Sequence, residues 1–365
     1  MGINYFNEGF TDNSYLNICK QMVLGIYKDR TGQDINFYYS DEDEVNAWAD
    51  LDKDENDLLV INAKTVVEFF AIMKTAFSQK EIFPEIGDIS NETNSFIEGV
   101  FTYFDKQIRY SNTPHDVIRD TMANYAALFS IRFIFTHELG HIMSGHTRYL
   151  GTTYMNSKIG MRLERVVNHS RYCLDRRTME MDADASAITS SFDNVAMLYK
   201  YHYEDAPISL LKRREEIFSI WSFSIAAIFM LFETDSVSDY SHKGYYLPNE
   251  ARFMMVMNAA YETAKSYINH NIAPELGTNK LEIMRSVVYG VKQCESFFQN
   301  VYCKSFFWSN AILNPDERYK YYSSEVLQNW DNKLKDKLVK YSRAPLYDKD
   351  KIDEMIEIIK KSQIV

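Results

Sequence analysis

The chain has 365 residues, of which 46% are hydrophobic and 15% aromatic, so it can bury a substantial core and is not an intrinsically disordered protein. Its 51 acidic residues outnumber its 40 basic residues, which gives a formal net charge of -11. Because non-specific nucleic-acid binding depends on neutralising phosphates, this charge argues against nucleic acid as a partner. The four cysteines contain no C-x-x-C pair, which argues against both a disulfide framework and a thiolate zinc site.

The first part of the chain mixes helix and strand patterns. Its start has neither the basic segment nor the apolar core of a secretory signal, so a cytoplasmic location is expected. Apolar spacing predicts a helix over 15–27 and a strand over 35–39. Two further strand patterns, 45–49 and 58–62, flank an acidic, turn-rich loop and predict a hairpin with a solvated tip. A second helix is predicted over 65–77.

A long, largely apolar helix is predicted next. Pro114 suits its first position and Thr113 its N-cap, because proline fixes a helical φ and a hydroxyl can accept from a free backbone N–H. Gly145 is expected to end this helix. A polar connection is predicted over 146–175, and Thr178 opens the following helix.

The remaining chain is predicted to be helical. The segment 217–232 is apolar, but a helix of this length spans roughly 24 Å, shorter than the roughly 30 Å hydrocarbon layer of a membrane. It is therefore predicted to be a core helix, and no stable membrane span is expected. Further helices are predicted from Pro248 through the 260s, over 286–308 and over 325–341. The pattern predicts an α+β fold that is predominantly helical, with a small mixed sheet.

The residues that carry chemistry are the run H-E-L-G-H at 137–141, inside the long predicted helix. His137 and His141 lie one helical turn apart on the same face, so both imidazoles can reach one metal ion. Glu138 lies beside them and can take a proton from water. This H-E-x-x-H motif predicts a zinc hydrolase.

A catalytic zinc ion typically has a third protein ligand, and two solutions are common. One is a third histidine in H-E-x-x-H-x-x-G-x-x-H spacing. This chain does not have that spacing, although His146 is close enough in sequence to line the site. The other is a carboxylate on the next helix, where Glu180 and Asp184 share a face. One of them could bind zinc while the other accepts an N–H from a ligand histidine, and Asp182 would point elsewhere.

The H-E-L-G-H run followed by E-x-x-A-D at 180–184 resembles the glutamate-type zinc peptidases, the gluzincins. In these motifs the chain is similar to HtpX and CAAX-processing peptidases and to the soluble Lit-type phage-exclusion peptidases. The segment 46–49, Asn-Ala-Trp-Ala, and the strand 58–61 are similar to the N-A-[FW]-A segment and the edge strand of the active-site sheet in that group.

Downstream, His242, Pro248 and Arg252 are similar to the H-P-x-x-x-x-R motif of the same group, which lies close to the catalytic centre. Here five residues separate the histidine from the proline, whereas the two are adjacent in the family pattern. The multiple membrane spans of the HtpX group are also missing, so the soluble relatives fit better. The resemblance covers roughly residues 45–255.

The resemblance implies roles for the site residues and one zinc ion per chain. It makes His137, His141 and Glu180 the metal ligands, Glu138 the general base and Asp184 a partner of a ligand histidine. We expect His242 to stabilise the oxyanion, with Arg252 or a nearby tyrosine (Tyr240, Tyr245 or Tyr246) as alternatives. The resemblance also implies a zincin-like core in which the edge strand 58–61 flanks the motif helix and pairs with the substrate chain.

We therefore expect a zinc-dependent endopeptidase that acts on an intracellular protein, with phage defence as the setting that the Lit-type resemblance implies. The expected domains are a peptidase domain, 1–272, made of an α/β part, 1–112, and a helical catalytic part, 113–272, followed by a helical region, 273–365. That aromatic-rich C-terminal region motivates an alternative, a metal-stabilised regulatory or toxin-like protein that acts by binding a partner. The sequence leaves the substrate and the oligomeric state open.

Overall fold

The fold is given by a computed structural model, which describes residues 5–6, 15–94, 101–104, 107–110, 112–160, 170–201, 207–235, 246–313 and 317–346. The α-helices in these ranges are α1 (Tyr15–Thr31), α2 (Ala63–Phe77), α3 (Val117–Met143), α4 (His146–Tyr154), α5 (Ser170–Tyr201), α6 (Glu216–Asp235), α7 (Asn249–Asn269), α8 (Glu275–Thr278), α9 (Lys280–Tyr302), α10 (Trp308–Leu313), α11 (Glu317–Asn329) and α12 (Lys335–Leu338). The strands are β1 (Tyr5–Phe6), β2 (Asn36–Ser40), β3 (Ala47–Leu51), β4 (Asp57–Asn62), β5 (Phe101–Phe104), β6 (Gln107–Tyr110) and β7 (Ile159–Gly160). The predicted fold class, α+β and predominantly helical, is confirmed.

The larger sheet has the strand order β1-β2-β4-β3-β7 and is mixed. Strands β3 and β4 form the predicted antiparallel hairpin, with Ala47 opposite Ile61, and β2 pairs with β4 in parallel. Strand β4 therefore has a partner on each side, and the prediction that 58–61 is an edge strand is wrong. The prediction failed because the parallel pairing with β2 is a contact between distant parts of the chain, which the sequence of β4 alone does not indicate. Strand β3 lies nearer the edge, next to the two-residue strand β7.

The sheet is backed by the long helix α3. Leu59 and Ile61 of β4 are fully buried, and α3 packs against both β3 and β4. The rings of Phe37 on β2 and Phe135 on α3 contact each other edge-on, with centroids 6.3 Å apart. Alternate side chains of each strand point to this face, which fixes the register between sheet and helix.

Helix α3 starts later than predicted. Its N-cap is Asp116, whose carboxylate accepts a hydrogen bond from the backbone N–H of Arg119 at 3.0 Å. The predicted cap at Thr113 is therefore wrong, and Pro114 precedes the helix. The fully buried Arg119 guanidinium explains why α3 begins at this point. It donates five hydrogen bonds to backbone carbonyls between Phe77 and Ile86. These bonds hold the first turn of α3 against the loop after α2.

The far end of α3 is where it was predicted. Gly145 has a φ of 77°, in the left-handed region, and a Cβ there would overlap the backbone of Tyr341. Helix α4 starts immediately afterwards, so the predicted polar connection over 146–175 is wrong in part: it contains α4 and β7, and α5 is already helical at Ser170 rather than from Thr178. Helix α4 is polar in composition, which is why it was predicted to be a connection, yet one of its faces is buried. The residues of this face are His146, Thr147, Tyr149 and Leu150.

Helix α6 confirms the predicted core helix. It is long and apolar enough to cross a membrane, but 89% of its apolar window is buried inside the protein. Ser130 on α3 donates a hydrogen bond to the carbonyl of Ser224 on α6 at 2.8 Å, and Ser222 donates to the carbonyl of Val287 on α9 at 2.8 Å. Ser222 thus joins α6 to α9, and Ser130 joins α3 to the backbone of α6.

The helices after residue 272 pack on the earlier ones. Helix α9 runs six residues earlier than the predicted 286–308, and the predicted helix 325–341 is divided among α11, a π-helical turn (Trp330–Leu334) and α12. Glu325 accepts hydrogen bonds from Arg177 at 3.1 Å, and the backbone N–H of Arg343 donates to the carbonyl of Met143 at 2.7 Å. The division at residue 272 stays a prediction.

The contact between α9 and α6 gives a stability test. A Cβ at Gly290 would overlap the carbonyl oxygen of Ser219 on α6, so Gly290→Ala should lower the free energy of unfolding by about 1–3 kcal/mol. Gly25 on α1 is the matched control, because a Cβ there has nothing within 4 Å and alanine favours a helix. Urea unfolding should show loss for the first variant and none for the second. Equal stability of the two variants would contradict the packing.

Candidate metal centre

Three buried side chains from two helices converge on one point. They are His137 and His141 of α3 and Glu180 of α5, whose ligand atoms all lie within 4.8 Å of one another. The two Nε2 atoms of the histidines are 3.1 Å apart. Oε2 of Glu180 lies 3.4 Å from Nε2 of His137, and Oε1 lies 3.7 Å from Nε2 of His141. This group could hold a metal ion.

The close approach of α3 and α5 brings Glu180 to the histidines. Gly140 lies on α3 where α5 crosses it, and a Cβ there would be 3.2 Å from Cα of Ala183. Two small residues let the helix backbones approach, so the short glutamate side chain can reach across. The glycine and the alanine within H-E-L-G-H and E-x-x-A-D therefore have a packing role beside the ligands.

Asp184 lies on the Nδ1 side of the His137 ring, away from the ligand atoms of His141 and Glu180. Its Oδ1 is 2.8 Å from Nδ1 of His137, which turns Nε2 of that ring towards Glu180. Burial would raise the pKa of Asp184, but the neighbouring Arg252 and His137 outweigh it and lower the pKa, so the carboxylate is ionised. The sequence left open which carboxylate would be the ligand, and the geometry favours Glu180, with Asp184 as the partner of His137.

Arg252 of α7 is the counter-charge of the two carboxylates. Its Nε and Nη2 each donate to Asp184 at 2.9 Å, and Nη2 also donates to Glu180 at 3.3 Å. Burial would lower the pKa of Arg252, but Asp184 and Glu180 raise it, so the guanidinium is charged. A buried pair of carboxylates needs such a partner, because unpaired charges are costly to remove from water.

Arg176 is a second buried cation that the sequence did not assign to the site. It lies one turn before Glu180 on α5, and Nη1 donates to the hydroxyl of Tyr172 at 3.2 Å. Burial would lower its pKa, whereas Tyr246 and Glu180 raise it. Helical spacing from Glu180 was the only sequence signal for this residue.

Glu138 is fully buried on α3, beside His137. Its negative charge helps to raise the pKa of His137.

Tyr246 also lies near the centre, since its ring is 5.9 Å from the Arg252 guanidinium, and its hydroxyl donates to the carbonyl of Gly160 at 2.6 Å. The predicted residues His242, Tyr240 and Tyr245 lie outside the described residues.

His137 and His141 carry different charges. Burial, reinforced by the nearby His137 and His146, holds the pKa of His141 well below its usual value, so this ring is neutral. Burial also opposes charge on His137, but hydrogen bonding to Asp184 and Glu180 outweighs it and raises the pKa to about 10. A proton and a metal ion therefore compete for the ligand nitrogen of His137.

The donor set fits a divalent cation. Two imidazole nitrogens and one carboxylate oxygen are the ligands of many catalytic zinc sites. Oε1 of Glu180 is buried and accepts no hydrogen bond from the residues described here, so it is available to a cation.

His146, in contrast, is outside the ligand group: its Nδ1 lies 2.9 Å from Nδ1 of His141, on the far side of that ring. Asp182 points away from the ligand atoms, as expected, and accepts from Ser144 at 2.6 Å.

Comparison of the chain with protein-family models, with curated protein sequences and with solved structures finds no match. The motifs and the geometry of the site are therefore the features that indicate a function.

Removing the charge of the third ligand should weaken metal binding. Glu180→Gln replaces a carboxylate by a poorer ligand, and we expect the zinc Kd to rise at least about tenfold. Competition with a chelating dye measures it. Glu282→Gln is the matched control, because Glu282 is exposed and pairs only with Arg285 in the described structure. An unchanged affinity of Glu180→Gln would contradict the proposed donor set.

The buried counter-charge should be needed for stability. Arg252→Met keeps the length of the side chain but removes the guanidinium that bonds to both buried carboxylates, so we expect a loss of about 3–5 kcal/mol in the free energy of unfolding. Arg285→Met is the control, since Arg285 is 65% exposed and should change stability by less than about 0.5 kcal/mol. Denaturant unfolding of the metal-free proteins measures both. A loss of less than about 1 kcal/mol for Arg252→Met would contradict this role.

Proposed function

We propose that the protein is a zinc-dependent endopeptidase. The observation that carries the proposal is the convergence of His137, His141 and Glu180 in one buried group, on a helix that also carries Glu138 beside the first histidine. Two imidazoles, one carboxylate and an adjacent glutamate are the equipment of metal-assisted hydrolysis.

A zinc ion held there would lower the pKa of a coordinated water molecule towards neutrality and polarise a carbonyl oxygen. The protein supplies the proton transfers. Glu138 accepts the proton of the attacking water and then donates it to the leaving amine. Asp184 and Arg252 act through the ligands, because Asp184 orients His137 and Arg252 holds Asp184 and Glu180 in place.

The arrangement agrees with the resemblance to gluzincins. In that resemblance Glu180 completes the ligand set and Asp184 contacts a ligand histidine, and the observed distances suit both roles. Arg252 is less suited to touch a substrate, because Nε and Nη2 are already used by the two carboxylates. His242 stays our proposed oxyanion-stabilising group, on the family pattern alone.

We propose that the substrate is a peptide segment of an intracellular protein, paired with the sheet in an extended conformation. Strand β3 is the better platform, since β4 is paired on both sides, whereas β7 covers β3 only at Trp48 and Ala49. A cytoplasmic location and a phage-defence setting belong to the same proposal, and they rest on the resemblance to the Lit-type peptidases.

The alternative, a protein that acts mainly by binding a partner, was motivated by the aromatic residues of the C-terminal helices. Two of them, Trp308 and Trp330, are buried in the protein's own core. Asn329 donates hydrogen bonds to Asp175 and Thr178 of α5. Internal packing accounts for these two tryptophans, whereas Phe307 and Tyr321 are exposed. The peptidase proposal is favoured because the buried group of His137, His141 and Glu180 could hold a metal ion.

The general base gives the direct test. Glu138→Gln should abolish peptide cleavage and retain zinc, because Glu138 is outside the ligand group. Mass spectrometry of cells that express the wild type or Glu138→Gln would identify proteins cut only by the former. Glu262→Gln, at an exposed position, is the control and should cleave like the wild type. Full activity of Glu138→Gln, or identical cleavage patterns in cells with and without the protein, would refute the proposal.

A further inference from the structure

His141 has two ring nitrogens, and the structure gives each a different neighbour. Nε2 faces His137 and Glu180, whereas Nδ1 lies 2.9 Å from Nδ1 of His146, the first residue of α4. All three histidines are fully buried. Metal-binding histidines usually donate their second N–H to a carboxylate or a carbonyl group, so a histidine in this position is unusual.

When both imidazoles are neutral, the contact between them has two possible proton arrangements. In the first, Nδ1–H of His141 donates to the lone pair on Nδ1 of His146, and Nε2 of His141 keeps its lone pair for a metal ion. In the second, Nδ1–H of His146 donates to His141, whose own proton then lies on Nε2. Only the first arrangement allows His141 to be a ligand through Nε2.

Asp182 discriminates between these arrangements. Its Oδ2 lies 3.4 Å from Nε2 of His146, which is longer than a hydrogen bond, so the carboxylate acts on that nitrogen through its negative charge. Ser144 donates to the same oxygen at 2.6 Å and fixes its position. A carboxylate favours an N–H facing it over a lone pair, so the proton of His146 belongs on Nε2. Its Nδ1 is then the acceptor that His141 needs.

The backbone holds His146 in this position. Gly145 lies between α3 and α4 in a left-handed conformation, and His146 begins α4 immediately after it. Tyr341 fills the space beside Gly145, and the backbone N–H of Arg343 caps the carbonyl of Met143. The rings of His141 and His146 are 5.2 Å apart and inclined at 61°. The His146 ring is fully buried.

We propose that His146, held by Asp182, is a positioning residue that sets the tautomer of His141 and so keeps its Nε2 available to the metal ion. The inference rests on the proposed metal centre, but it does not depend on peptide hydrolysis. His146 itself binds no metal and touches no substrate. Its effect is confined to the tautomer and orientation of one ligand.

Two substitutions at the same position separate this role from packing. In His146→Asn, Oδ1 occupies the place of Nδ1 and can accept from His141. In His146→Leu, a methyl group of similar size occupies that place and cannot accept. We expect the zinc Kd of His146→Leu to rise about 10–100-fold, whereas that of His146→Asn stays near the wild-type value. The absorption spectrum of cobalt(II)-loaded protein should change for the leucine variant and be retained for the asparagine variant.

Nitrogen-15 spectra of histidine-labelled wild-type protein give a second readout that does not depend on zinc affinity. The two-bond couplings should place the proton of His141 on Nδ1 and that of His146 on Nε2, with the eight histidines of the chain assigned by substitution. The opposite placement would overturn the proposal. Equal zinc affinities of the asparagine and leucine variants would also overturn it. If the wild type binds no zinc, the metal centre itself fails, whereas zinc binding without cleavage refutes only the peptidase.

Discussion

The structure around the centre depends on burying two carboxylates beside two histidines at the crossing of α3 and α5. Glu180 and Asp184 are both almost inaccessible to water, and an isolated charge in such a place would be very unfavourable. Arg252 makes the arrangement possible, because one guanidinium bonds to both groups. The close helix contact at Gly140 then brings the carboxylates within reach of His137 and His141.

Elements distant in sequence are used to keep these few side chains fixed. Helix α7 supplies Arg252, the turn into α4 supplies His146, and the last described segment braces that turn through Tyr341 and Arg343. Helix α6, buried among α3, α7 and α9, fills the core behind them. A site in which each ligand has its own buried partner is preorganised, so a cation can bind with little rearrangement.

The sequence predicted those parts that depend on local spacing. The H-E-x-x-H turn, the hairpin of β3 and β4, and the core helix α6 each follow from residues near one another in the chain. Glu180 and Asp184 were found because their spacing places them on one helical face. The geometry at Gly140 then showed how that face meets α3.

The features that sequence reasoning missed are set by distant contacts. Strand β4 was predicted to be an edge strand, but its parallel pairing with β2 places it inside the sheet. Helix α3 begins after Asp116 rather than after the predicted cap Thr113, because Arg119 is bound to the loop after α2. His146 was weighed as a ligand because of its position in sequence. Its actual role depends on which side of the His141 ring it occupies, and only the three-dimensional turn at Gly145 decides that.

X-ray absorption spectroscopy of the zinc-loaded protein tests the central claim most directly, because it reports the ligand atoms of the metal without reference to any reaction. The structure predicts two imidazole nitrogens at about 2.0–2.1 Å and oxygen ligands at about 2.0–2.2 Å, with no sulfur. A spectrum with sulfur at about 2.3 Å, or one without imidazole scattering, would contradict a metal centre built from His137, His141 and Glu180.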